Sequence, residues 1–119
     1  MALPRPTPNN EAVVCGFYAD VSTAGSAFLP APVHGLLVRA YTSISAAITT
    51  ANSTWTIEIN GVAQTGTGTI TQSGSAAGDV DEVIFSNPAT VTPGDTIEFV
   101  FAGESDTTSI AHCAAVIRT

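Results

Sequence analysis

The chain has 119 residues, enough for one hydrophobic core and no second independent one. Only 11% of its residues are charged, against roughly 25% in ordinary soluble domains, while 45% are hydrophobic; neutral hydroxyl residues fill the gap, which excludes a disordered chain or a coiled coil. A net charge of -7 with three cations, Arg5, Arg39 and Arg118, excludes the basic footprint needed for nucleic acid or an anionic membrane surface.

Residues 1–11 carry prolines at positions 4, 6 and 8, which fix φ, remove amide donors and bias each preceding residue toward extended backbone. This stretch is expected to be an extended N-terminal arm, with residues 12–119 forming the folded domain. It also lacks the continuous apolar segment of a secretory signal, which points to a reducing compartment and to Cys15 and Cys113 as thiols in the core. Residues 12–18 are β-branched and aromatic and form a strand with Val13, Cys15 and Phe17 on one face. Residues 20–32, rich in Ser, Ala, Gly and Pro, are expected to be a loop.

Residues 33–42 make a second strand, with Leu36, Val38 and Ala40 facing one way and Arg39 and Tyr41 the other, so that Arg39 points out of the core. The uncharged run that follows is broken by Thr and Ser throughout and is no membrane span. Residues 54–60 give the clearest alternation, Trp55, Ile57 and Ile59 on one face and Thr54, Thr56, Glu58 and Asn60 on the other. Asn60-Gly61 suits the two left-handed positions of a type I′ turn, so residues 62–71 should return antiparallel. After a flexible segment at 72–78, short strands are expected at 81–86 and 89–92. Thr92-Pro93-Gly94-Asp95 reads as a type II turn leading into 96–101, with Ile97, Phe99 and Phe101 on one side. Residues 109–118 close the chain as a last strand, and no window carries a helical period. About eight short strands joined by Gly, Pro and Ser turns predict an all-β, antiparallel sandwich or jelly roll.

Chemistry-bearing motifs are sparse. His112 and Cys113 are adjacent on a strand and point to opposite faces, and no Cys-x-x-Cys or His-x-His occurs, so no metal site or other cofactor is implied. His34 is expected to cap a loop beside Pro32. No Gly-x-Ser-x-Gly elbow is present and neither histidine has an acid partner in the local sequence, so no catalytic residue is assigned and the chain reads as a non-enzyme. Asp79, Asp81 and Glu82 are an acidic cluster that reads as a solvated loop in preference to a calcium site. A sugar platform of Tyr18, Tyr41 and Trp55 is disfavoured because Trp55 shares a face with Ile57 and Ile59.

The succession of a Ser/Thr-Ala loop, Thr-Trp-Thr-Ile-Glu-Ile-Asn-Gly-Val, a Gly/Ser-rich hairpin, Val-Thr-Pro-Gly-Asp-Thr-Ile-Glu-Phe and a final strand, over residues 36–117, resembles the small β-jelly-roll modules of tailed-bacteriophage virions. Such modules occur as capsid decoration (cement) proteins and at fibre tips, commonly as trimers, and the size of this chain matches the decoration branch. The resemblance implies a structural protein on the outer surface of the virion that bridges major-capsid subunits. Its arm residues Leu3, Pro4, Arg5, Pro6 and Pro8 would lie against the capsid, and Arg39, Tyr41 and His112 would serve as contacts with another subunit or the capsid. The alternative it implies is a receptor- or glycan-binding fibre tip. Self-association, by the resemblance as a trimer, is also expected on physical grounds, because a small sandwich with few ionic groups gains by covering its apolar outer faces and edges.

Overall fold

A computed structural model describes residues 10–119. Leu3, Pro4, Arg5, Pro6 and Pro8 of the expected arm lie outside the described residues. Nine strands follow in order: β1 (Glu11–Tyr18), β2 (Gly25–Pro30), β3 (Gly35–Ile44), β4 (Ser53–Ile59), β5 (Val62–Ala63), β6 (Gly68–Ile70), β7 (Val80–Val91), β8 (Thr96–Phe101) and β9 (Ala111–Arg118). There is no helix among the described residues.

The strands form two antiparallel sheets, a four-stranded one in the order β1-β9-β3-β7 and a five-stranded one in the order β2-β8-β4-β5, with β6 also paired to β4. With β5 and β6 taken as two pieces of one strand position, this is the eight-position strand order of a jelly roll, in which successive strands alternate between facing sheets except at the hairpin from β4 to β5 and β6. The expected all-β sandwich is therefore what the chain adopts.

The core lies between the sheets. From the five-stranded sheet come Leu29, Trp55, Ile57, Ile59, Ile97, Phe99 and Phe101, and from the four-stranded sheet Leu37, Ala40, Val83, Phe85, Cys113, Ala115 and Ile117. The alternation of β4 places Trp55, Ile57 and Ile59 inward as its sequence requires, and the Trp55 and Phe99 rings meet at 5.4 Å. Tyr18 closes one end of the core by stacking on Phe101 at 4.4 Å, its hydroxyl donating to the Thr23 carbonyl at 2.5 Å. Asn60 and Gly61 both have positive φ, 50° and 81°, as a type I′ turn demands. Gly94 (φ 91°) and the Asp95 N–H to Thr92 carbonyl bond of 3.0 Å close the Pro93-Gly94 turn.

Four local expectations are corrected. Residues 20–32 are not all loop, because β2 pairs with β8 from Gly25↔Phe101 to Pro30↔Thr96 and buries Ala27 and Leu29. In β3 a bulge between Leu37 and Arg39 breaks strict alternation, so Leu37 enters the core and Leu36 is exposed, while Arg39 points outward as expected. The two short strands expected at 81–86 and 89–92 are the single edge strand β7, whose interior Pro88 is tolerated because an edge leaves one side without a ladder to donate to. Cys15 is exposed and only Cys113 is buried. Since Cys15 pairs with Ala114 and Gly16 with Cys113, the two thiols project from opposite faces of the sheet and cannot bridge.

Candidate functional site

In β1, residues Val14, Gly16 and Tyr18 turn toward the interior, which forces Val13, Cys15 and Phe17 onto the outer face of the four-stranded sheet. The pairing registers extend this face across all four strands. One row runs Val13, Val116, Arg39 and Ile84. The next runs Cys15, Ala114, Tyr41 and Glu82, and the third Phe17, His112, Ser43 and Val80. Arg39, Tyr41 and His112, separated in sequence, thus lie on one face in three neighbouring rows.

Several large apolar side chains are exposed on this face. Val13, Phe17, Val80 and Ile84 are between 59% and 67% exposed, with Leu36 at 41% beside them. The first four line the two edges of the face, on β1 and β7, with Arg39, Tyr41, Ser43 and His112 between them, and exposed apolar side chains grouped on one face mark contact surfaces in soluble proteins. Its charges are mutually compensated. Arg39 donates to Glu11 at 2.9 Å, and Arg118 donates to the other oxygen of the same carboxylate at 3.1 Å. These are half-exposed ion pairs, worth at most about 1 kcal/mol each, so their consequence is neutralisation more than stability. Glu82 faces Tyr41 and raises its hydroxyl pKa, chiefly through their hydrogen bond. Between Cys15, Tyr41, His112 and Val80, the small side chain of Ala114 leaves a concavity of about 290 Å³.

The opposite outer face is different in kind. On the five-stranded sheet Glu58 and Glu98 are direct cross-strand partners, and Phe28 opposes Glu98 on the other side. Like charges so placed repel, and among the described residues no cation lies there.

The remaining candidates are dispersed. His34 sits exposed in the connection before β3. Trp55 is in the core, Tyr18 covers the end of the sandwich and Tyr41 is on the outer face, so the three aromatics form no platform. Asp79 Oδ2 accepts from Ala76 N–H at 2.9 Å and closes its own loop, while Asp81 and Glu82 leave opposite faces of β7. Among the described residues no group of three or more His, Cys, Asp or Glu is placed to hold a metal ion.

Asp81 is partly buried, and that burial, followed by the nearby Asp79 charge, raises its pKa above the usual carboxylate value. A raised carboxyl pKa means the folded protein holds the proton more tightly than the unfolded chain. Stability is therefore lost as pH rises from the unfolded value through the folded one. Asp81→Asn is expected to raise the melting temperature at about pH 7 and to leave it unchanged near pH 3, where both forms are neutral. Thermal melts of the two proteins at both pH values check this; a lower melting temperature for the variant at neutral pH would contradict it.

No protein-family model matches the sequence, and no curated protein sequence does. Among solved structures, a chain of the cyanophage Pam1 capsid asymmetric unit superposes with a TM-score of 0.59 at 20% identity, over 99% of this chain and 91% of that one. The likeness is one of fold. The catalytic unit of a GH87 alpha-1,3-glucanase from Streptomyces thermodiastaticus gives a TM-score of 0.47 at 14% identity, and the matched part is 21% of that chain.

Proposed function

We propose that this protein is a structural component of a tailed-phage virion that sits on the outer surface of the capsid, bridges major-capsid subunits and catalyses no reaction. The observation that carries the reading is the match to a chain of a phage capsid asymmetric unit over nearly the full length of both chains. A module of this size, with a broad apolar outer face, is suited to being one layer of a larger particle. Identical copies associate, as trimers by the resemblance noted above, and each assembly engages several capsid chains. Modest contacts repeated in this way sum to a large stabilisation. The net acidity suits an exterior position, where it keeps particles apart in solution.

Residues 1–10 supply the capsid contact. Prolines 4, 6 and 8 have already removed conformational freedom, so laying this segment along a partner costs little ordering entropy. Leu3 then fills an apolar depression and Arg5 meets a capsid carboxylate. Removing residues 1–10 is expected to abolish co-sedimentation with capsids stripped of this protein, while the domain keeps its folded far-ultraviolet spectrum. Adding the intact protein is expected to raise the temperature at which such particles release DNA. Undiminished capsid binding by the shortened chain would reject the arm's role. Binding to host cells without binding to capsids would replace the reading with that of a fibre tip.

A further inference from the structure

The two outer faces of the sandwich differ in charge, and the difference decides which of them a second copy can approach. Of the ten acidic residues, Glu11 and Glu82 belong to the outer face of the four-stranded sheet, where Arg39 and Arg118 balance them. The other eight acids lie elsewhere, and among the described residues no cation accompanies them. A molecule of net charge -7 that meets its own copy through the rest of its surface brings like charges together. Through the β1-β9-β3-β7 face it meets a neutral field and removes exposed Val13, Phe17, Val80 and Ile84 from water.

We infer that the outer face of the four-stranded sheet is the self-association surface of this protein, occupied by a second copy of the chain. The inference deepens the self-association proposed above by naming its surface, and it does not depend on the capsid contact. Four strands at ~4.8 Å spacing and seven residues at ~3.4 Å give a face of about 19 by 24 Å. That is about 460 Å², a little over half of the roughly 800 Å² per partner of an ordinary stable interface, which fits an association that dilution can reverse. The two halves of the face are unlike. The β1 half offers Val13, Cys15 and Phe17, and the β3–β7 half offers Tyr41, Glu82 and Ile84. Unlike halves can meet head to tail, which is what closing a ring of three requires. The concavity over Ala114 receives a bulky side chain from the neighbour.

Cys15 is a built-in reporter. It is exposed on this face, whereas Cys113 is buried and its thiol is pushed up to about 12, so a maleimide reads Cys15 alone. Sedimentation and the rate of Cys15 alkylation are to be measured across a dilution series without any capsid present. The wild type is expected to be associated at micromolar concentration, with alkylation slowed about tenfold relative to its dissociated form. Val13→Glu with Ile84→Glu is expected to weaken association at least about tenfold and to open Cys15, with little change in melting temperature because both sites are exposed. Phe28→Glu, on the other sheet, is expected to leave association unchanged. The inference is overturned if the wild type is monomeric with a freely reactive Cys15, or if the double variant stays associated. It is overturned equally if Cys15 is protected at every dilution and deprotected by removing residues 1–10, which would mean that the chain covers its own face.

Discussion

Replacing Phe99 by alanine is expected to cost about 3–5 kcal/mol, a large part of the 5–15 kcal/mol that holds a domain of this size together. Phe99 lies in the middle of β8, the strand flanked by β2 and β4, and it is fully buried. Its ring packs on Trp55, so truncation removes a large apolar surface and leaves a void bounded by two sheets that are hydrogen-bonded along their length and cannot collapse to fill it. Trp55 is the single tryptophan, which makes its fluorescence a direct reporter of the affected region. Urea titration followed at that signal measures the loss. Phe28→Ala, in which an exposed ring of the same type is removed, is expected to change stability by no more than about 0.5 kcal/mol. A Phe99→Ala loss below about 1 kcal/mol would show that the core is not packed as described.

The second large effect is expected at Gly103. Its φ of 74° disfavours any residue with a Cβ, and that Cβ would sit 2.2 Å from the backbone nitrogen of Ala24 and 2.5 Å from the Thr23 carbonyl carbon. The obstructing loop has little room to yield. Asp20 Oδ1 accepts from both the backbone and the hydroxyl of Ser22, and Val21 N–H donates to the Ser109 carbonyl at 3.0 Å. Gly94 separates the two causes, because its φ of 91° is equally left-handed but an added Cβ there meets nothing within 4 Å. Gly94→Ala is therefore expected to cost about 1 kcal/mol and Gly103→Ala about 2–4 kcal/mol, the difference measuring the steric clash. Equal losses at the two positions in parallel denaturant titrations would refute the clash argument.

The parts of the fold that could be read from the sequence are those fixed by short-range chemistry. The alternation of β4, the Asn60-Gly61 and Pro93-Gly94 turns and the triplet Ile97, Phe99 and Phe101 each follow from residues within a few positions of one another. The strand β2 was not legible because Gly25, Ser26 and Pro30 are turn residues by composition. It is a strand because β8, about seventy residues away, supplies its ladder. The bulge in β3 also left no local trace, since Leu36, Leu37 and Val38 are three consecutive apolar residues and only the two neighbouring strands decide which of them turns inward.

The candidate face was half legible. Val13, Cys15 and Phe17 share a side by periodicity alone, yet periodicity does not say whether that side is in or out. Gly16, packed against Leu29, and Tyr18, stacked on Phe101, are what turn the other side inward. Arg39, Tyr41 and His112 could each be singled out as polar or aromatic residues on strands. Their convergence depends on β9 being inserted between β1 and β3, a long-range fact of topology.

That same insertion governs how the chain can reach its native state. Among the described residues the first strand finds its one sheet neighbour in β9, with Glu11 opposite Arg118 and Thr119 N–H donating to the Asn10 carbonyl at 2.7 Å. During synthesis β1 must wait, without that partner and with its apolar side groups uncovered, until residues 111–118 have been made. A chain that lacks residues 111–118 therefore forfeits the whole β1-β9-β3 pairing.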